Sequence, residues 1–325
     1  GELHRDEQAL FGGVHDDKSN GMEPLRSLVD VVVSGDVKRE PKGSHISVGS
    51  KINREANNKN VSLSAYLGMG PIHFSGKCEK SPISQGERFS LSVTWPSGRH
   101  QEMVDTLSLF SHFGCLGSRS RNGWGSIHVA PSSPVKPSSY ATPSSPVKGD
   151  GQGKESSRTT LDNLKGLPYL YGKYGEDIQK ILRQDKAYPF RLGMGIREGK
   201  KRPLIWRIAA SSDWKGAMQA AAEKYMDIRQ TLPFPKEKSG KVERRHLVGY
   251  PVTNHVVPQW GGFNGRMPSQ LRIILRRENG KYVSYFFHLP HSIAKPWDET
   301  RLGTELSIWQ GLHNWLDANC TAILL

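Results

Sequence analysis

Apolar positions along the chain follow two periods. Val29, Val31 and Val33 alternate through residues 28–37, and Phe89, Leu91, Val93 and Trp95 alternate through residues 87–95. Period two puts each set on one face of a strand. Met103, Leu107 and Phe110 recur at helical spacing, so residues 100–113 predict an amphipathic helix lying against that sheet. A further strand is predicted over 61–67, running into Gly68-Met69-Gly70-Pro71, and a closing strand over 126–130. Residues 2–11 read as a helix already under way, ended by Gly12-Gly13 in the manner of a glycine cap, so the start of the first domain is expected upstream. With an upstream strand and helix restored, the order is βαββαβ.

The second half repeats the pattern. Residues 203–210 predict a strand, and Asp213 is placed to cap a helix whose Trp214, Met218, Ala221, Ala222, Tyr225 and Ile228 form an apolar stripe. Residues 271–276 and 282–289 predict a hairpin around Glu278-Asn279-Gly280, because Asn-Gly is a strong signal for a tight turn. Residues 304–317 predict a helix with Leu306, Trp309, Leu312 and Leu316 inward, and residues 322–325 a last strand. Leu192-Gly193-Met194-Gly195 also echoes Leu67-Gly68-Met69-Gly70. The expected fold class is α+β, with tandem ferredoxin-like (βαββαβ, RRM-like) domains, the first lacking its N-terminal strand.

Between the halves, Pro131-Ser132-Ser133-Pro134-Val135-Lys136 is repeated as Pro143-Ser144-Ser145-Pro146-Val147-Lys148 and followed by a Gly-rich run. Such a tract buries too little apolar surface to order itself, so it reads as a linker or a surface insertion. The expected organisation is a first domain over 1–130, this tract over 131–158 and a second domain over 159–325. The polar stretch 38–60, with Lys38, Arg39, Lys51 and Arg54, reads as a long excursion that either contacts RNA or is simply solvated.

The 325 residues carry 45 Lys and Arg against 31 Asp and Glu, a net charge of +14, which favours a polyanionic partner. No apolar run approaches a membrane span, so no membrane partner is expected. Three cysteines without paired spacing suggest neither a disulfide framework nor a zinc site, and the expected compartment is the reducing cytoplasm. No cofactor and no metal are expected.

The most distinctive stretch is Phe113-Gly114-Cys115-Leu116-Gly117-Ser118-Arg119-Ser120-Arg121-Asn122-Gly123-Trp124-Gly125. Glycines allow close backbone approach, while Arg119, Arg121, Ser118 and Ser120 supply donors suited to phosphate. It is not a P-loop, since no Gly-Lys-Ser/Thr ends it, and its helix precedes the glycines, unlike a dinucleotide fingerprint. It reads as a backbone cradle of Gly117, Ser118, Arg119, Ser120, Arg121, Asn122, Gly123, Trp124 and Gly125, or as a basic glycine turn on a β-rich protein. Trp124 either stacks on a base or packs beneath the loop.

A helix followed by Leu-Gly-Ser-Arg-Ser-Arg-x-Gly-aromatic-Gly-Ser and a strand resembles the glycine-rich loop of the RAMP superfamily of CRISPR RNA-binding proteins. Within it the arginine-rich form is most similar to the first subunit of the Cmr (type III-B) effector complex. That resemblance implies an RNA-binding subunit in antiviral defence, with CRISPR RNA, target single-stranded RNA and the other Cmr subunits as partners. It also relates Arg266-Met267-Pro268-Ser269-Gln270-Leu271-Arg272 to a segment preceding a late strand in that family, with Gln270 replacing the usual proline. Arg266 and Arg272 are therefore further candidate RNA contacts.

The resemblance implies either a binder or a metal-independent endoribonuclease that processes CRISPR transcripts. Such a nuclease needs a base and an acid. Asp16 and Asp17, which lie beside His15, and Asp36 are the positions to test, or else solvated carboxylates at a turn. His288 and His291 read as a strand-end pair whose partners lie elsewhere rather than as metal ligands. With no catalytic constellation visible, no catalytic residue is assigned and a binder is the expectation.

Overall fold

The residues described by the computed structural model are 27–46, 51–54, 59–68, 71–73, 76–117, 122–129, 166–183, 191–197, 199–234, 240–249, 255–262, 267, 269–291, 293 and 297–324. They form a mixed α+β structure of several sheets and helices. The first half carries β1 (Asp30–Ser34), β2 (Lys51–Arg54), β3 (Lys59–Ser62), α1 (Leu63–Gly68), β4 (Ser90–Thr94) and α2 (His100–Phe113). Then follow α3 (Leu167–Tyr174), β5 (Gly175–Asp177), α4 (Ile178–Leu182), β6 (Leu192–Arg197), β7 (Lys200–Pro203), β8 (Ile205–Ser211) and α5 (Trp214–Gln230). The chain ends with β9 (Leu271–Glu278), β10 (Lys281–His288), α6 (Glu299–Leu302), α7 (Glu305–Asn319) and β11 (Thr321–Ala322).

The chain divides into two compact units, and the division differs from the expected one. One unit comprises Gly1–Lys42, Ser81–Leu109 and Val129–Glu155. In it β1 pairs antiparallel with β4, Val31 opposite Val93. Val29 and Met103 are buried there, with Val93 and Trp95 against them. Val31 and Val33, expected on the core face with Val29, are 58% and 62% exposed; among the described residues no third strand joins this ribbon. Residues 38–40 are not a free excursion. The Lys38 amide donates to Glu87 Oε2 (2.9 Å), Arg39 bridges to Ile83, and the Ser84 amide donates to the Lys38 carbonyl (3.0 Å).

The other unit comprises Gly43–Lys80, Phe110–His128 and Ser156–Leu325. Residues 43–80 and 110–128, expected in the first domain, thus group with the C-terminal half. The packing of α1 on α5, and the loop contacts described below, account for that. The period-two reading of 61–67 holds only to Ser62. From Leu63 the chain is helical, burying Leu67 in the main core and setting the Tyr66 ring 6.2 Å from that of Tyr225 on α5. The expected strand at 126–130 reduces to one bridge between Ser126 and Cys115. The repeated tract of 131–158 lies outside the described residues.

The main sheet of this unit has the spatial order β11-β8-β10-β9, with every pairing antiparallel. Along the chain this is strand, helix, two strands, helix, strand, as the periodicity of 203–325 predicts, with β9 at an edge. Its parts form for the expected reasons. Asp213 caps α5 by accepting from the Gly216 amide (2.8 Å). Asn279 and Gly280 both have positive φ (47° and 76°), closing the β9–β10 hairpin as a type I′ turn requires. Met218, Ala221, Ala222, Tyr225 and Ile228 of α5, with Trp309, Leu312 and Leu316 of α7, cover one face through Trp206, Ile273 and Phe286. A second sheet, β5-β6-β7, places Leu192–Gly195 in a strand, whereas Leu67-Gly68 ends a helix, so the sequence echo has no structural counterpart.

His288 closes β10 inside this core, stacked 3.8 Å from Trp309. Its Nε2 lies 3.2 Å from Gln270 Oε1 and its Nδ1 2.8 Å from His313 Nε2. One tautomer satisfies all three groups: Nε2–H of His288 donates to Gln270, and Nε2–H of His313 donates to His288. Gln270 Oε1 also accepts from the His291 amide (3.2 Å). The strand-end pair therefore has its partners in Gln270 and His313. Gln270, standing where proline is expected, supplies an acceptor that proline lacks.

Burial holds His288 well below the ordinary histidine pKa and His313 at about 3, so both are neutral in the fold. The unfolded chain takes up their protons as pH falls through about 6.5. Stability is full above that pH and declines toward pH 4, by at most about 1.4 kcal/mol per pH unit for each histidine. Urea melts at pH 7, 5 and 4 test this. His313→Gln is expected to be less stable at pH 7 yet to show a shallower loss on acidification; an unchanged acid slope would overturn the assignment.

Candidate nucleic-acid interface

The helix α2 ends at Phe113, and the chain turns into the glycine-rich loop through Gly114 and Cys115. Cys115 bridges antiparallel to Ser126, and the Leu116 amide donates to the Gly125 carbonyl (2.8 Å). The loop is therefore a hairpin with a closed stem. Gly125 has φ +69°, and a Cβ there would run into the Leu116 carbonyl, so only glycine fits. Gly123, also at positive φ, is buried over Met218, Ile273 and Leu275, where a Cβ would lie 2.8–3.1 Å from those side chains.

The stem is seated on β9, the edge strand. Asn122 forms a parallel bridge with Ile273, and its Nδ2 donates to the Leu67 carbonyl (2.9 Å). Ser126 Oγ accepts from the Leu275 amide (3.0 Å) and donates to the Gly123 carbonyl (2.8 Å). Edge amides that would otherwise face solvent or another chain are thus satisfied by the loop.

Arg276 fastens the same structure from the opposite face of β9. Its Nη1 donates to the carbonyls of Ile127 (2.9 Å) and Leu275 (3.1 Å); its Nη2 donates to those of Ser111 (3.1 Å) and His112. Ser111 and His112 belong to the last turn of α2, the negative end of its dipole, where a cation is favoured. Phe113 packs edge-on against Phe287 of β10 (5.0 Å) and Tyr171 of α3 (6.4 Å). Burial and the Arg276 charge hold the His112 pKa down at about 4, which keeps a second positive charge out of the site. Burial also raises the Cys115 thiol, against the opposing influence of Ser126, Arg276 and Arg272.

Of the sequence-predicted contacts, the structure brings together Gly117, Asn122, Gly123, Trp124 and Gly125 at the stem, with Arg272 on the strand beneath it. Trp124 is half-buried against the main core, its ring 5.9 Å from Trp214 in an edge-on arrangement. That is the packing alternative for Trp124. Ser118, Arg119, Ser120, Arg121 and Arg266 lie outside the described residues. Lys51 and Arg54 stand at the two ends of β2, opposite Ser62 and Lys59 of β3. Lys38 and Arg39 belong to the other unit, as does Asp36, which is exposed there. His15, Asp16 and Asp17 lie outside the described residues.

Arg276 and Ser126 are the functional supports that sequence reading missed. No local pattern announced Arg276: it shares its face of β9 with the apolar Ile274, and its partners are backbone carbonyls. Among the described residues no group of three His, Cys, Asp or Glu side chains is disposed to hold a metal, and no helix is long and apolar enough to cross a membrane.

The chain is similar to Cmr1. The solved structure is that of Cmr1 from Pyrococcus furiosus in its apo form, with a TM-score of 0.47 and 14% identity over 99% of this chain and 82% of that one. No protein-family model matches the chain, and no curated protein is similar to it in sequence.

Two substitutions test the support of the loop. Arg276→Met is expected to lower the unfolding free energy by about 2–4 kcal/mol, since it strands buried carbonyls on two elements. Gly125→Ala is expected to cost about 1–3 kcal/mol through backbone strain and stem opening. Chemical denaturation reads both, and a change under about 0.5 kcal/mol in either, the range of a neutral surface substitution, would show that the stem does not depend on that residue.

Proposed function

We propose that this chain is an RNA-binding subunit of a type III-B CRISPR effector complex, holding CRISPR RNA, target RNA or their duplex by the sugar-phosphate backbone. The observation that supports it most is the fixed root of the glycine loop. Leu116 and Gly125 close the stem, Ser126 and Asn122 seat it on β9, and Arg276 locks it to the end of α2. The residues between Gly117 and Asn122 are Ser118, Arg119, Ser120 and Arg121. Two guanidinium groups and two hydroxyls on a rigid root suit phosphate oxygens, and rigidity lowers the ordering cost of binding.

In this reading the sheet β11-β8-β10-β9 is the core of a ferredoxin-like module, and the N-terminal portion contributes a second one, giving a tandem arrangement with a single glycine cradle. The net charge of +14 supplies long-range attraction for RNA. Asn122, Gly123 and Gly125 shape the cradle, Arg119 and Arg121 pair with phosphates, and Arg272 adds a cation beneath the stem. Other effector subunits complete the path of the RNA.

Gel shifts of labelled single-stranded repeat-derived RNA across a salt series, in EDTA, test the proposal. Wild type is expected to shift intact RNA with a steep salt dependence. Arg119→Ala/Arg121→Ala is expected to bind more weakly and to flatten the slope by about one to two phosphate contacts. Defined cleavage products in EDTA would replace this reading with that of a metal-independent endoribonuclease. An unaltered slope in the variant would remove the loop from the RNA path.

A further inference from the structure

In the unit that carries the glycine loop, the described aromatic side chains are buried or half-buried with two exceptions, Tyr169 (51% exposed) and Tyr174 (38%), and both belong to α3. This helix sits on the root of the loop. Its Leu167, Leu170 and Tyr171 are buried, and Tyr171 meets Phe113, the last residue of α2 before the loop, edge-on at 6.4 Å. Tyr169, Gly172, Lys173 and Tyr174 are exposed. Large rings left in water forgo the burial that such side chains ordinarily gain, and α3 is already held by its other residues.

Lys173 organises the two rings. Its Nζ lies 5.7 Å from the Tyr169 ring centroid and 5.2 Å from that of Tyr174, and it donates to the Tyr169 hydroxyl (3.3 Å). An ammonium shared by two exposed rings orients both. Glu176 and Asp177, the next acidic residues along the chain, are engaged elsewhere. Glu176 pairs with Lys180 and Arg191 (2.9 Å each), and Asp177 caps α4 by accepting from the Gln179 amide (2.8 Å). Gly172 keeps the helix surface bare next to Lys173: among the described residues a Cβ there would meet nothing within 4 Å. The fold itself therefore does not call for glycine, the poorest helix former after proline, at this position, whereas close approach from outside does.

We infer that the exposed face of α3 is a stacking platform for unpaired RNA bases beside the glycine loop, with Tyr169 and Tyr174 each receiving the face of a base and Lys173 a phosphate. Single-stranded nucleic acid is held by aromatic faces for its bases and by cations for its backbone, with little selectivity among bases. Two solvent-facing rings with an ammonium between them supply both. The sign of the charge suits RNA, and a helix is only about 10 Å across, so a strand gripped at the loop can continue onto α3. The inference rests on the function proposed above and adds bases to the phosphates held there.

The test measures the affinity of the full chain for two single-stranded RNAs of equal length, one ordinary and one carrying a run of abasic nucleotides. Wild type is expected to bind the ordinary strand about ten-fold or more tighter, as one stacked base provides. Tyr169→Leu/Tyr174→Leu, at exposed positions, is expected to keep the wild-type melting temperature and abasic-RNA affinity and to lose most of that ratio. Tyr169→Phe/Tyr174→Phe keeps the rings and is expected to keep the ratio. A wild-type ratio near one, a ratio undiminished in the leucine variant, or a ratio lost in the phenylalanine variant would overturn the inference and leave a protein contact as the use of the exposed rings. Arg119→Ala/Arg121→Ala should weaken both strands alike. Unaltered binding by that variant would remove the loop and leave the platform standing, a wild-type ratio near one would do the reverse, and a wild type that binds neither strand would overturn both.

Discussion

Arg276 is a buried cation enclosed by carbonyl oxygens. Two of them end α2, one lies just beyond the glycine loop and one is its own neighbour in β9. A carboxylate partner would have neutralised the charge at one point. Carbonyls from separate segments instead make the charge a tie among helix, loop and strand, each of which would otherwise have polar groups buried without partners. Whatever the loop does, it does from a position set by this side chain. The neutrality of His112 beside it follows from its burial, reinforced by the same charge.

The second constraint is the edge of the sheet. β9 has β10 on one side only, and an open edge of that length invites pairing with another strand. Asn122 and Ser126 occupy it without forming a full strand, so the root of the loop caps the edge as well as closing its own stem. The two roles share the same glycines. Gly123 is needed because Met218 of α5 with Ile273 and Leu275 of the sheet leave no room for a Cβ, and Gly125 because the Leu116 carbonyl leaves none.

Much of the C-terminal half was legible in the sequence. The Asn279-Gly280 turn, the Asp213 cap and the α5 and α7 stripes were each written in local residue chemistry, and each formed as expected. The N-terminal half was less legible because its determinants are tertiary. Leu63–Gly68 is helical because Leu67 and Tyr66 dock against α5, which no local period reveals. Val31 and Val33 alternate like a buried strand yet remain exposed in a two-stranded ribbon. The grouping of 43–80 and 110–128 with distant sequence is a fact of packing alone. At the candidate site, the glycines and Asn122 could be read from the motif, but not the role of Arg276, whose partners are backbone atoms that carry no sequence signature.

The closed stem has a consequence for how such a protein can change. Leu116 and Gly125 meet directly and Asn122 and Ser126 seat the stem on β9, so among the described residues the contacts that fix the root lie at 115–116 and 122–126. Lengthening a closed loop costs little, about 0.6 kcal/mol for each doubling. The root is thus an interchangeable mount, on which tips of different length and charge can be grafted while the sheet, the helix end and the buried arginine stay as they are.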